Sequence, residues 1–241
     1  HRISIENINS FKHLILPIAV LIGPIILVAT QPDLGTSILI ASGGIVVAWL
    51  AGVRPKFFVY SGVAMIALLP IAISFLKPYQ KSRILTFLNP ERDPLGAGYQ
   101  IIQSKIAIGS GGLFGKGFLN GSQSYLDYLP EKHTDFIFTL FSEEFGFFGS
   151  LFILLLYALI ISRIVRIGNM TRSNFGKLYC YSFATAFFLY VVVNMMMVLG
   201  LLPIVGSPLP IMSYGGSSML AIMFGLGIVM SCKIYKDVPV N

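Results

Sequence analysis

Charge is scarce in this chain: Asp, Glu, Lys and Arg make up 11% of the 241 residues, against 55% hydrophobic. A soluble domain carries about a quarter charged residues, so the composition excludes an ordinary soluble fold and points to a membrane protein. Cysteine is almost absent. Cys180 and Cys232 both lie in apolar stretches, which leaves no support for a disulfide framework or a zinc site. Acids number only 10 against 17 Lys and Arg, giving a net charge of +7. That excess is explained by membrane topology, and no nucleic-acid partner is expected. The chain opens on His1 without a charged, apolar and small-residue cleavage pattern, so no signal peptide is read and a fragment of a longer protein is expected.

Long charge-free runs fill most of the sequence, at 14–32, 34–53, 57–76, 145–162 and 178–232. A spanning helix needs about 20 apolar residues. The last run is long enough for two spans and is broken near its middle by "PIVGSPLP" (203–210). The fold class expected is therefore an all-α polytopic membrane protein with six transmembrane helices. A cytoplasmic N-terminus puts Arg2, Lys12, Arg54, Lys56, Arg163, Arg166, Arg172, Lys177, Lys233 and Lys236 on the inner side. The short outer connections, around Asp33 and at 203–208, then hold no cation. The expected organisation is three helices in 1–76, a large outer loop at 77–135, and three further helices in 136–241.

The loop 77–135 is long for a connection and not of low complexity, and it is read equally as an ordered cap over the bundle or as a surface in contact with substrate. Within it, Ile101, Ile102, Ile106 and Ile108 predict a short amphipathic helix followed by a glycine-rich turn. "GSGGLFGKG" (109–117) invites a nucleotide site but fails it. Ser110 stands where a P-loop needs glycine and Gly117 where it needs Ser or Thr. A flexible turn is favoured there, with Lys105 and Lys116 near enough to help cradle some other phosphate.

Ionisable groups gather where spans begin. Asp33, in "TQPDLGTS", is read equally as a turn and N-cap after Pro32 or as a functional acid. Glu143 and Glu144 are read as groups at the outer rim or lining a wet cavity, the alternative of first-turn acids explaining one of them better than two. In "LPEKHTDFIF" (129–138), Thr134 is a candidate cap and Asp135 a first-turn acid. Alternatively Pro130 starts the helix and Glu131 and Asp135 share a face. Local physics favours the cap. Pro203, Pro208 and Pro210 forbid a continuous helix, and irregular backbone at membrane depth must be buried in protein or line a wet cavity.

Taken together, "TQPDLGTS", "RILTFLNPERDPLGAGYQIIQSKIAIGSGGLFGKG", "YLPEKHTDFIF", "SEEFGFFG" and "GLLPIVGSPLPIMSYGGSS" resemble the SEDS family (shape, elongation, division and sporulation), and its RodA branch most closely. Ser207 departs from the family's usual aliphatic residue, and the length matches only the last six helices of a roughly ten-helix fold. The resemblance implies a multi-pass protein of the bacterial cytoplasmic membrane. It implies a peptidoglycan glycosyltransferase that polymerises lipid II at the outer face during cell-wall elongation. It also implies a class B penicillin-binding transpeptidase and elongation-complex membrane proteins as partners. It maps the essential carboxylate onto Asp135 and a supporting acid onto Asp33.

The chemistry fits such residues. Pyrophosphate leaves readily without a general acid, so the reaction needs a base for the sugar hydroxyl and cations for the leaving group. Asp135 is the candidate base. Arg83, Lys105, Lys116 and Lys132 are candidate cations, with a divalent cation as an alternative to them. Glu131, His133, Asp33, Glu143 and Glu144 complete the candidate substrate-binding set, and no metal ligands are assigned. A flippase for the same lipid and a non-catalytic transpeptidase scaffold are the competing readings.

Overall fold

The computed structural model describes residues 11–31, 33–74, 77–122 and 129–237. His1 and Arg2 at the start of the chain and the Pro32 bend lie outside the described residues. The elements are α1 (Phe11–Thr30), α2 (Leu34–Leu50), α3 (Pro55–Ser74), α4 (Pro78–Leu88), a 3₁₀ turn (Pro90–Arg92), α5 (Ala97–Ser110), α6 (Ile137–Met170), α7 (Asn174–Val198) and α8 (Gly216–Ile234). No strand is present among the described residues. Three helices, α6, α7 and α8, are long and apolar enough to cross a membrane. Shorter apolar stretches lie at Ile15–Thr30, Gly35–Leu50 and Pro55–Leu68.

α6 and α7 form the central pair, with α5 and α8 packed against them, while α2 joins α1 to α7. The core sits where the chain leaves the regular helices. Leu129, Phe136, Phe138 and Leu140 pack with Tyr157 of α6, with Phe187, Val191, Met195, Met197 and Val198 of α7, and with Leu209. A second cluster of Ile164, Cys180, Ala184 and Val229 ties α6, α7 and α8 together lower in the bundle. Inside hydrocarbon such contacts act through close packing rather than water exclusion. Gly225 illustrates this: a Cβ there would stand 2.2 Å from the Phe183 ring.

Within 77–122, side-chain hydrogen bonds fix the start and the buried face of α5. Asp93 Oδ2 accepts the Ala97 N–H at 2.9 Å, which satisfies one orphan donor at the start of α5. The amphipathic helix expected here exists, but its buried stripe is Gly98, Ile101, Ser104 and Ala107, and Ile106 is exposed. Ser104 is the reason the stripe is not simply apolar. Its hydroxyl donates to the Val198 carbonyl at 2.7 Å and pairs with the Thr139 hydroxyl at 2.8 Å, linking α5, α6 and α7.

The glycine-rich stretch is a splice rather than a flexible turn. α6 breaks at Gly146, whose φ of 66° and ψ of −161° leave the helix ladder. The loop repairs the break. Lys116 N and Gly117 N donate to the Glu143 and Glu144 carbonyls at 3.0 Å each. In return, Phe147 N and Phe148 N donate to the Gly112 and Leu113 carbonyls at 2.9 and 3.2 Å. The two backbones approach so closely that a Cβ on Gly115 would stand 2.1 Å from the Glu144 oxygen. Only glycine fits there, and φ of +80° at Gly115 independently favours it.

Candidate active site around Asp135

Asp135 lies in a turn, not in a helix. Residues 130–136 form turns and α6 begins at Ile137, after Phe136 with no side-chain cap. This overturns both local readings of the stretch, Thr134 as a cap and Pro130 as a helix start. The reason is competition for the same groups. The Thr134 hydroxyl is taken by Glu131 Oε2 at 2.9 Å, and the Glu131 carbonyl accepts Thr134 N and Phe136 N at 3.3 and 3.2 Å. Leu129 and Phe136, each 1% exposed, anchor the two ends of the turn in the core.

Three consecutive carbonyls of this turn are held from outside it, two by the irregular segment after α7 and one by α7 itself. His133 O accepts Tyr214 N at 2.9 Å. Thr134 O accepts the Ser213 hydroxyl at 2.6 Å. Asp135 O accepts the Asn194 side-chain amide at 2.8 Å. Ser213 Oγ also accepts Leu209 N at 2.7 Å, and the Tyr157 hydroxyl donates to Pro210 O at 2.7 Å. Within the proline-rich "PIVGSPLP", Ser207, Leu209 and Pro210 are buried in protein, while Pro203, Ile204, Val205 and Pro208 are half-buried and Gly206 is exposed.

The Asp135 carboxylate faces that segment. Its Oδ2 is 3.4 Å from the position a Cβ would take on Gly206, which has φ of 74°. On the other side of the segment, Val205 fills the space beside Gly35 of α2. Asp33 precedes that helix and caps it, accepting Thr36 N at 3.0 Å. Arg83 of α4 reaches the same segment, donating to Ile204 O at 3.3 Å. Asp135 is half-buried, and burial pushes its carboxyl up from the usual range, helped by the negative charges of Glu131 and then Asp33. A first-turn position would have lowered it instead.

The other candidates fall into separate places. Asp33, Glu131 and Asp135 converge electrostatically, with Arg83 tied to the segment between them. His133 is exposed and Lys132 half-buried on the same turn. Lys105, exposed on α5, lies across Gly200, where a Cβ would meet its Cε at 2.3 Å. Lys116 and Glu143 face each other in an ion pair of 2.6 Å, with Glu143 wholly buried. Glu143 also accepts from the Ser122 hydroxyl at 3.0 Å. Neither glutamate lies in a first turn: both close the short helical piece that ends at Gly146. Among the described residues no three His, Cys, Asp or Glu side chains gather closely enough to hold a metal ion.

An apolar cavity of about 760 Å³ runs between α6 and α7, lined by Phe147, Leu154, Ala158, Phe188 and Val192 among others. No charged residue lines it. The ionisable groups gather around Asp135 and not along this cavity. Sequence reasoning passed over Asn194, Ser213 and Tyr157. Asn194 had a signal: an amide inside "VVVNMMMV" is costly in an apolar span unless it has a task.

The comparisons agree with this architecture. Residues 4–237 match the family model of FtsW, RodA and SpoVE, described as cell cycle protein. The peptidoglycan glycosyltransferase MrdB of Escherichia coli K12 is 48% identical over 228 residues, 94% of this chain and 62% of that protein. Stage V sporulation protein E of Bacillus subtilis is 37% identical over 233 residues, covering 96% of this chain and 63% of its own length. This chain thus spans less than two thirds of these relatives. Among solved structures, one of a peptidoglycan synthase complex, concerned with coordination of polymerization and crosslinking, matches with a TM-score of 0.79 and 32% identity. That match covers 95% of this chain and 64% of the other. Thermus thermophilus rod shape determining protein RodA matches with a TM-score of 0.61 and 25% identity, over 97% of this chain and 62% of that one. The chain belongs to the FtsW, RodA and SpoVE family, and it is a multi-pass protein of the bacterial inner membrane.

Proposed function

We propose that the protein is a peptidoglycan glycosyltransferase that polymerises lipid II at the outer face of the cytoplasmic membrane, with Asp135 as the general base. One observation carries this. The Asp135 carboxylate is half-buried, its main chain is held by Asn194 of α7, and its proton affinity is raised by burial and by Glu131 and Asp33. A base works best when its pKa approaches the working pH.

In this reading the six apolar stretches all span, and the connection 77–135 lies outside. Asp135 takes the proton of the incoming sugar hydroxyl. That oxygen bonds to the anomeric carbon of the second lipid-linked sugar, and the bond from that carbon to the pyrophosphate oxygen breaks with inversion. The leaving pyrophosphate carries away the electron pair, and cations stabilise it. Arg83, Lys105 and Lys132 are the candidates for that task. Lys116 is engaged with Glu143 and belongs to the loop splice. The match to a complex that polymerises and crosslinks supports a transpeptidase partner of the class B penicillin-binding type. Elongation-complex membrane proteins complete the proposed partners, and cell-wall elongation is the proposed role.

The test is lipid II polymerisation by the full-length protein with its partner in detergent, comparing wild type with Asp135→Ala and Asp135→Asn. Loss of glycan chains in both variants, at unchanged folding, is the expected result. Polymer made at the wild-type rate by either would overturn the assignment. Lipid II crossing vesicle membranes without polymer would favour a flippase instead.

A further inference from the structure

The general base needs a fixed position as well as a suitable proton affinity, and one buried side chain spans both walls that define this position. Asn194 is 0% exposed in the middle of an apolar helix face. Its Nδ2 donates to Asp135 O at 2.8 Å and to Ser207 O at 2.7 Å. One acceptor is the main chain of the base itself. The other is the residue beside Gly206, the backbone that faces Asp135 Oδ2.

Both acceptors are carbonyls, so the amide must present its nitrogen to them, and this fixes which way the side chain points. Its Oδ1 and the neighbouring Ser207 Oγ are buried without a hydrogen-bond partner among the described residues. The amide is thus held through its two donors. Two N–H groups on one planar atom set the separation of their acceptors. Asp at this site has no donor, Ser has one, and Gln carries both donors one methylene further out.

We propose that Asn194 is a positioning residue for the transfer reaction, setting the distance between the Asp135 turn and the Gly206 segment and thereby the place of the carboxylate. The proposal rests on the reading of Asp135 as the base. Asn194 touches neither substrate nor proton in it; the residue acts through two backbone carbonyls. Misplacement of a reacting group by about 1 Å costs on the order of 100-fold in rate.

The experiment uses full-length protein with its transpeptidase partner and lipid II, and it measures kcat, KM and Tm for Asn194→Gln, Asn194→Leu and Asp135→Asn. Asn194→Gln is expected to stay folded, to keep KM within about twofold and to lose about 10–100-fold in kcat. Asn194→Leu is expected to lose at least as much kcat, with a lower Tm. Full kcat in folded Asn194→Gln overturns the proposal, and so does a rise in KM matching the loss of kcat. A fall in kcat that merely follows the fraction of folded protein across the Asn194 variants overturns it too, because a purely structural residue behaves that way. The Asp135→Asn arm separates the two failures. If that variant is inactive while Asn194→Gln is fully active, the positioning role alone is wrong. If Asp135→Asn is active, the base assignment has failed.

Discussion

Removing the ammonium of Lys116 should strand the wholly buried charge of Glu143 on α6. The Lys116 Nζ to Glu143 Oε1 distance is 2.6 Å, and the two side chains are 30% and 0% exposed. At an effective dielectric constant of about 20, that separation corresponds to roughly 6 kcal/mol of gross attraction. Desolvation offsets much of this, and deleting one partner of a buried pair typically costs about 3–5 kcal/mol. Water reaches part of Lys116, so Lys116→Met is expected near the lower end, about 3 kcal/mol. The Ser122 hydroxyl at 3.0 Å stays on the carboxylate and limits the loss. Glu143→Gln keeps the shape and removes the charge, for an expected cost of about 1–2 kcal/mol. The double variant should cost little more than Glu143→Gln alone, because no stranded charge remains. Thermal unfolding in detergent reads this as a drop of about 6–12 °C for Lys116→Met, at roughly 2–4 °C per kcal/mol. The double variant should recover about a third to two thirds of that drop. Strictly additive shifts would refute the pair as a coupled element.

Gly115→Ala meets both a Cβ position 2.1 Å from the Glu144 oxygen and a φ of +80°. It should undock the loop at a cost of about 2 kcal/mol or more, seen as faster proteolysis between 111 and 122. Asp135→Asn should act oppositely on stability and activity. A carboxyl whose folded-state pKa is raised loses stability as pH rises through that value, so the neutral amide is the more stable form near pH 7. The Tm gain should shrink as pH falls into the usual carboxylate range, about 4, where wild-type Asp135 is protonated as well. A gain independent of pH would show that charge is not its origin.

The apolar runs made the helices of the bundle legible, because hydrophobic length alone marks α6, α7 and α8. Local rules failed at 129–136, where neighbours in space outbid neighbours in sequence. Thr134 reads as a cap only while its partners are unknown. Once Ser213 holds its carbonyl and Glu131 its hydroxyl, no cap is left to make. The same applies to Glu143, which reads as a first-turn acid because "SEEFGFFG" looks like the start of a span. The helix in fact begins at Ile137 and breaks at Gly146, a break that needs a loop about 30 residues earlier in the chain. Asp33 was legible as a cap from its own neighbours, since Thr36 N is only three residues away. Its electrostatic reach to Asp135 was not.

The break at Gly146 also has a consequence for biosynthesis. Four backbone groups at the break find partners in residues 112–117. These groups belong to the outer end of α6, and leaving one buried without a partner costs about 1–3 kcal/mol, so the loop completes that end of the helix. The chain emerges with the loop already made when residues 143–148 follow it. A nascent chain must therefore keep the loop and the upper end of α6 in one compartment until the four bonds close. A tag or charged insertion between 111 and 117 should then leave the outer end of α6 undocked, seen as faster proteolysis near 143–148.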